Sequence, residues 1–321
     1  MIRFVRQNGW VVGLFVLLAL LLVFTRLIQP DYGSAGFGSL ARAALPFAFA
    51  AAAQTIVVIA GGVDLSIASM MALTSVTAAV LMDGASEEFA IVVVPLVLLL
   101  GLLLGSINGA LIVITRVPDI VVTLAMLFVW EGAALLVLNA PGGAAAEWLK
   151  ALIVGTVGVP AAITNWVPKA LVVLVVCVGI VWIPLSRSRL GLSIYAIGSD
   201  SLAAFRSGVA VDRTKIAAYA LAGLFAAMGG LVLTMSTGIG APIPGPYLLA
   251  SVAAVVLGGV TLGGGRGGIV GPIVAVFILR LVRSDLTFLS VDPNVTTIIE
   301  GTIMVVVVML GALVAMRARS P

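Results

Sequence analysis

The chain has 321 residues, of which 62% are hydrophobic and only 9% are charged, whereas charged residues make up about a quarter of a soluble domain. This composition excludes a soluble globular protein and indicates an integral membrane protein. The absence of histidine and the single cysteine, Cys177, exclude a disulfide framework, Cys/His metal sites and Ser-His or Cys-His catalysis. A net charge of +4, carried between apolar segments, is explained by the positive-inside rule, so no nucleic-acid partner is predicted.

Apolar runs of about 20 residues, the length that a helix needs to cross a bilayer, recur along the whole chain. We predict an all-α integral membrane protein with about ten transmembrane helices, in which residues 1–321 form a single transmembrane domain. Two short runs flank a glycine-rich segment, a pattern typical of broken helices that line a transport pathway. The predicted spans are 10–24, 40–60, 67–82, 91–114, 120–138, 167–185, 216–235, 248–257, 269–282 and 295–315.

The first span follows two arginines and resembles a signal peptide. Because Arg26 follows it in place of a small-residue cleavage site, we expect an uncleaved span. The positive-inside rule then predicts that both termini are cytoplasmic and that the acidic loop 83–88 lies outside. Several basic residues, such as Arg42 and Arg280, fall near the outer side, so the rule is obeyed as a bias. The predicted cytoplasmic positions are Arg3, Arg6, Arg116, the interval 186–215, Arg266, Arg317 and Arg319.

The interval 186–215 is the longest polar stretch of the chain, and it holds five basic and two acidic residues. We predict that it is a cytoplasmic segment recognised by something outside the lipid. The alternative is an ordinary solvated basic loop that only records the topology.

Asp64 is the most isolated ionisable residue in the apolar first half, and an intramembrane carboxylate is by default a functional candidate. The alternative is that Asp64 caps the helix that begins near Ile67. The segment Gly61–Leu65 also has an internal echo in Gly258–Leu262. Many transporters are built from repeats, but these two copies do not sit at equivalent places in a five-plus-five inverted scheme, so no repeat is predicted from them. The candidates for the translocation path or its hinges are Gly61, Gly62, Asp64, Ser66, Asn108, Thr123, Gly258, Gly259 and Thr261.

Two sequence motifs would indicate a nucleotide-binding site. Gly263, Gly265 and Gly268 satisfy G-x-G-x-x-G, but no βαβ unit can be drawn among membrane spans, so no dinucleotide site is predicted. No G-x-x-x-x-G-K-[ST] motif is present in the sequence. We therefore expect no cofactor, metal or catalytic residue in this chain, and any ATP must be hydrolysed by another subunit.

Five short motifs occur in a fixed order along nearly the whole chain, from about residue 40 to 309. They are Gly61–Ser66, Gly105–Gly109, Ile120–Leu124, Tyr195–Gly198 with Ala203–Val209, and Ala253–Gly259 through Gly264–Gly267. In this order they resemble the permease subunits of ribose-type monosaccharide ABC importers, and five ordered motifs are more specific than any one of them.

The resemblance implies a dimer of two permease copies, or of one copy and a paralogue, in the bacterial cytoplasmic (inner) membrane. Its implied partners are ABC ATPase subunits and a periplasmic or lipid-anchored solute-binding protein, which supplies the affinity, so no strong sugar site is expected here. It also implies a short cytoplasmic coupling helix that docks on the ATPase, formed by Ala203, Ala204, Phe205, Arg206, Ser207 and Gly208.

Three aspartates depart from the usual residues of that family. Asp200 follows serine where Gly-Asn is common, Asp119 stands where Pro-Phe is common, and Asp285 replaces part of an Asn-Gly pair. These departures leave the solute open. The nearer alternative is an ABC permease for a nucleoside or a branched-chain amino acid, and the more distant one is a gradient-driven secondary carrier.

Overall fold

The computed structural model describes residues 9–157 and 166–317, without the side chains of 307, 308 and 310–317. Arg3, Arg6 and Arg319 lie outside the described residues, as does part of the connection that follows the fifth predicted span. The described residues form thirteen α-helices and one 3-10 turn, Glu87–Phe89, with isolated β-bridges as their only extended pairing.

The helices are numbered here in chain order. They are α1 Gly9–Ile28, α2 Ser34–Ile59, α3 Ile67–Met82, α4 Ala90–Thr115, α5 Asp119–Val137, α6 Glu147–Ala151, α7 Lys169–Arg187, α8 Arg189–Ser199, α9 Ser201–Arg206, α10 Val211–Thr237, α11 Tyr247–Leu257, α12 Val270–Phe288 and α13 Pro293–Arg317.

Each of the ten predicted spans corresponds to one helix, with ends shifted by a few residues. Six helices are long and apolar enough to cross a membrane by length and composition, namely α1, α2, α4, α5, α7 and α10. The helices α3 and α11 are apolar but shorter, and α12 spans 19 residues with three charged side chains, Arg280, Arg283 and Asp285. The prediction of an all-α, multi-pass membrane protein is confirmed.

The centre of the bundle is α10, which packs against α2, α3 and α4. The contact with α4 is close because both helices present glycine. A Cβ atom at Gly105 would lie 2.1 Å from the carbonyl oxygen of Tyr219, and one at Gly223 would lie 2.1 Å from that of Gly101. Small residues that let two backbones approach are the usual interface of membrane helices, where lipid removes the hydrophobic driving force.

The bundle has two chemically different ends. At the acidic end, the Glu87 carboxylate accepts a hydrogen bond from the backbone N–H of Glu147 at 2.8 Å, and Gly142 pairs with Gly240. At the glycine end, the connections that follow α2 and α11 meet the end of α8 around Gly61.

Two hydrogen bonds attach the peripheral helix α1 to the bundle. The Trp10 indole N–H donates to the carbonyl oxygen of Leu257 at 2.7 Å, at the end of α11. The Thr25 hydroxyl donates to the Asp285 carboxylate at 2.7 Å, near the end of α12. α1 is therefore fixed at both ends, although most of its surface is exposed.

Candidate translocation hinge and coupling segment

The helices α2 and α11 end in the same way. Gly61 has φ +86° and Gly259 has φ +82°, and each donates its N–H to the carbonyl oxygen three residues earlier. The next residue, Gly62 or Val260, donates to the carbonyl oxygen five residues earlier. This is the Schellman arrangement, in which a left-handed residue closes the helix. The internal echo is therefore structural, but Gly61 corresponds to Gly259, one position away from the match in the sequence.

The two helix ends are joined through the loop that follows the second one. The Gly265 N–H donates to the carbonyl oxygen of Ile59 at 2.9 Å, which is the last residue of α2. A Cβ atom at Gly264 would lie 2.8 Å from the Gly61 Cα atom and 2.5 Å from the Gly198 carbonyl oxygen. Backbones from three parts of the chain thus touch at the glycine end, so a shift of one displaces the others.

A buried polar cluster lies beside the first break, and we call Asp64, Ser66, Asn108 and Trp130 the hinge cluster. Asp64 Oδ1 accepts hydrogen bonds from the Ser66 N–H at 2.8 Å and the Ser66 hydroxyl at 2.6 Å. The Asn108 amide donates to the Ser66 hydroxyl at 2.7 Å and accepts from the Trp130 indole at 3.1 Å. The cluster connects the α2–α3 break to α4 and α5.

Asp64 does not cap α3 in the expected way. Its carboxylate accepts from the N–H two residues on, an Asx turn, whereas a helix cap binds the second or third N–H inside the helix. The Thr123 hydroxyl joins this region by donating to the carbonyl oxygen of Val63 at 3.3 Å, besides its own helix. The second carboxylate oxygen of Asp64 is buried and has no hydrogen-bond partner among the described residues.

A second charged group borders the same break. Asp119, the first residue of α5, binds the Lys215 ammonium at 2.7 Å and accepts from the Tyr219 hydroxyl at 2.8 Å. Gly62 packs against this group, since a Cβ atom there would lie 2.3 Å from the Asp119 carboxylate. Any side chain at position 62 would displace the ion pair.

The interval 186–215 is mostly helical, and α8 packs against α2 and α10. It is followed by α9, whose first N–H groups are capped by the Asp200 carboxylate, with two bonds of 2.9 Å. On α9, Phe205 is 67% exposed. Arg206, Ala203, Ser207 and Gly208 are also exposed, whereas Ala204 is buried against the chain itself.

The structure brings together six of the nine candidate path residues, namely Gly61, Gly62, Asp64, Ser66, Asn108 and Thr123. Gly258, Gly259 and Thr261 lie at the second break, which reaches the first through Gly264 and Gly265. Three residues of these polar groups were not among the predicted path residues, namely Trp130, Lys215 and Tyr219. The last two were detectable as a pair, because residues four apart share one face of a helix.

A bundle of apolar helices, with two matched helix breaks and an exposed short helix at the same end, defines the class as a multi-pass membrane permease. Residues 36–308 match the family described as branched-chain amino acid transport system / permease component, and the chain belongs to this family. This assignment confirms the predicted permease subunit of an ATP-binding cassette importer, and it makes the chain a transport component.

Curated relatives cover almost the whole chain. The autoinducer 2 import system permease protein LsrD of Escherichia coli (strain K12) is 30% identical over 319 residues, which cover 94% of this chain and 92% of the relative. Proteins of the same name from Shigella flexneri and Escherichia coli O157:H7 match to the same extent. No solved structure gives a significant match.

Proposed function

We propose that this permease moves a small monosaccharide-like solute across the bacterial inner membrane into the cytoplasm, with ATP hydrolysed by separate subunits. The solute class is supported by the curated relatives, which are named for the import of autoinducer 2, and by the order of the sugar-permease motifs. The family description names branched-chain amino acids instead, so leucine is the competing solute.

The proposal is supported by a continuous series of contacts from the exposed helix α9 to the buried break between α2 and α3. α9 presents Phe205 and Arg206 to solvent, and a short connection joins it to α10. In α10, Lys215 and Tyr219 hold Asp119, and Asp119 packs over Gly62. In this proposal the glycine end faces the cytoplasm.

In this mechanism the chain transmits the motion of the ATPase subunits to its membrane spans. ATP binding closes the ATPase subunits, which pull on α9 and hence on the start of α10. Because the Lys215–Asp119 ion pair ties α10 to α5, the pull reaches the α2–α3 break and rocks the spans as rigid bodies. The switch is driven by the different affinity of the ATPase subunits for the two conformations.

Two further partners complete the importer. A second permease copy, or a paralogue, forms the other half of the pathway. A periplasmic or lipid-anchored binding protein delivers the solute to the acidic end. Because that protein selects the solute, the permease needs only transient contacts along the path.

The test is reconstitution of the complex that co-purifies with the chain from native membranes. We expect an ATPase and a solute-binding protein, and ATP-dependent uptake of D-ribose or autoinducer 2 by proteoliposomes. Uptake that persists without the ATPase would disprove the ABC mechanism, and uptake of leucine alone would disprove the sugar assignment.

A further inference from the structure

Arg280 is an unusual arginine within the span α12. Its guanidinium carbon lies 4.6 Å from the centre of the Phe47 ring, on α2. Its Nε atom is buried and has no hydrogen-bond partner among the described residues. An arginine inside a membrane bundle is costly and is normally paired, so an unoccupied donor here needs an explanation.

The neighbouring carboxylate does not supply that partner. Glu300 of α13 forms its ion pair with Arg283, one helical turn from Arg280. Among the described residues, Arg280 and Arg283 thus have one neighbouring carboxylate, Glu300. It pairs with Arg283, so Arg280 has no ion-pair partner among them.

The aromatic contacts hold Arg280 without occupying its hydrogen-bonding groups. A cation–π contact uses the flat face of the guanidinium, whereas its N–H groups point outward from the edge of the plane. The Phe47 ring is itself fixed by the Tyr247 ring, at a centroid distance of 4.5 Å. The N–H groups of the Arg280 guanidinium are therefore oriented before a solute binds.

Arg280 lines a cavity between α2, α11, α12 and α13. It is lined mainly by apolar side chains, with Arg280 and Glu300 as its charged groups, and it extends to Pro246 at the acidic end. The space in it that admits water, about 30 Å³, accommodates one or two water molecules. A sugar-sized solute therefore requires α13, which packs on α11 and α12, to move outward.

We propose that this cavity is a transit site in which Arg280 donates hydrogen bonds to hydroxyl or carbonyl oxygens of the solute after its release from the binding protein. The inference rests on the proposed function, since the ligand class is the sugar-like solute assigned above. The site opens when α13 separates from α11 and α12, and it closes once the solute has passed.

The first test compares variants in the reconstituted complex, with D-ribose and autoinducer 2 as probes. For Arg280→Gln we expect about a tenfold fall in solute transported per ATP hydrolysed, as for loss of one charge-assisted hydrogen bond. ATP hydrolysis stimulated by the binding protein stays unchanged. Arg280→Lys retains an intermediate rate. The matched control is Arg42→Gln, which removes an arginine of α2 whose only hydrogen bond to the described residues is a 3.5 Å contact with Ser39.

The second test measures occupancy of the cavity. Because Cys177 is the only cysteine, Cys177→Ser with Met304→Cys places a single thiol in the lining. We expect millimolar D-ribose or autoinducer 2 to slow its reaction with an impermeant methanethiosulfonate, and this protection to vanish with Arg280→Gln. Protection that survives Arg280→Gln, or is given by leucine alone, would overturn the inference.

The outcomes separate the two proposals. If the wild-type complex imports a sugar and Arg280→Gln transports as well per ATP, only the transit site fails. If the wild-type complex imports neither sugar, the proposed function is wrong, and the transit site, which rests on that function, is wrong as well.

Discussion

Lys215 and Asp119 are separated by 96 residues, yet the Lys215 ammonium lies 2.7 Å from the Asp119 carboxylate. Lys215 belongs to the polar interval 186–215, and Asp119 begins a membrane span. The pair is mostly shielded from solvent, with 26% and 13% of the two side chains exposed. The Tyr219 hydroxyl holds the second carboxylate oxygen, so the geometry of the pair is fixed from both sides.

Lys215→Met should weaken the link between α10 and α5. It leaves the partly buried Asp119 carboxylate without its cation, which costs about 1.5–3 kcal/mol. We expect a lower midpoint of thermal unfolding in detergent and a loss of uptake larger than the loss of ATP hydrolysis.

The control for this variant is the exchange Lys215→Asp with Asp119→Lys, which restores opposite charges. Partial recovery of uptake is expected, because the ion pair forms again while the Tyr219 contact is lost. Equal uptake by Lys215→Met and the wild type would contradict the proposed line of transmission.

Asn108→Leu tests the hinge cluster. The leucine is similar in size but cannot bind Ser66 or Trp130. The buried Ser66 hydroxyl therefore loses a partner, at about 1–3 kcal/mol, and so does the partly buried Trp130 indole. We expect a clear fall in the unfolding midpoint of the purified permease and in uptake. The matched control is Ser106→Ala on the same helix, because among the described residues the Ser106 hydroxyl bonds only to a carbonyl oxygen of its own helix. This variant should behave as the wild type.

The fold was predictable from the sequence because lipid imposes a strong rule on it. Backbone groups in the bilayer must be satisfied within the chain, so each apolar run of sufficient length is a helix. The exact ends were less predictable. For example, α10 begins at Val211 rather than Ile216, so it includes polar residues that an apolar pattern does not mark as helix, such as Lys215, which binds Asp119 of the neighbouring span.

The hinge cluster was only partly predictable, since partners distant in the chain leave no local pattern. Asp64, Ser66 and Asn108 stand out as polar residues in apolar surroundings, but Trp130 looks like an ordinary apolar residue.

The three aspartates that depart from the family each have an internal explanation. Asp119 pairs with Lys215, Asp200 caps α9, and Asp285 accepts from Thr25, so they give no argument for a different solute.

The matched helix ends give a third prediction. Gly61→Ala and Gly259→Ala place a Cβ atom on a left-handed residue, at about 1–2 kcal/mol. Gly259→Ala should be the more harmful, because its Cβ atom would also lie 2.5 Å from the Trp10 ring. Unfolding midpoints would show this order. Gly132→Ala in α5, where the new Cβ atom meets nothing within 4 Å, should stabilise the permease by about 0.5–1 kcal/mol. An equal loss in all three variants would contradict the assigned roles of Gly61 and Gly259.

Arg206→Glu tests the docking of α9 on the ATPase. Arg206 is exposed and belongs to the last turn of a capped helix, so its charge can change without disturbing the bundle. We expect normal expression and an unchanged unfolding midpoint, but loss of uptake and weaker retention of the ATPase on the purified permease.

Arg213→Glu is the matched control for the docking test. Arg213 is also exposed and lies in the same interval, but it belongs to α10 and should tolerate the charge reversal. Phe205→Ala should reproduce the defect of Arg206→Glu, because it removes the large apolar side chain that α9 presents to solvent. If Arg213→Glu abolishes ATPase retention while Arg206→Glu and Phe205→Ala do not, the contact with the ATPase lies at the start of α10, and α9 is not the coupling helix.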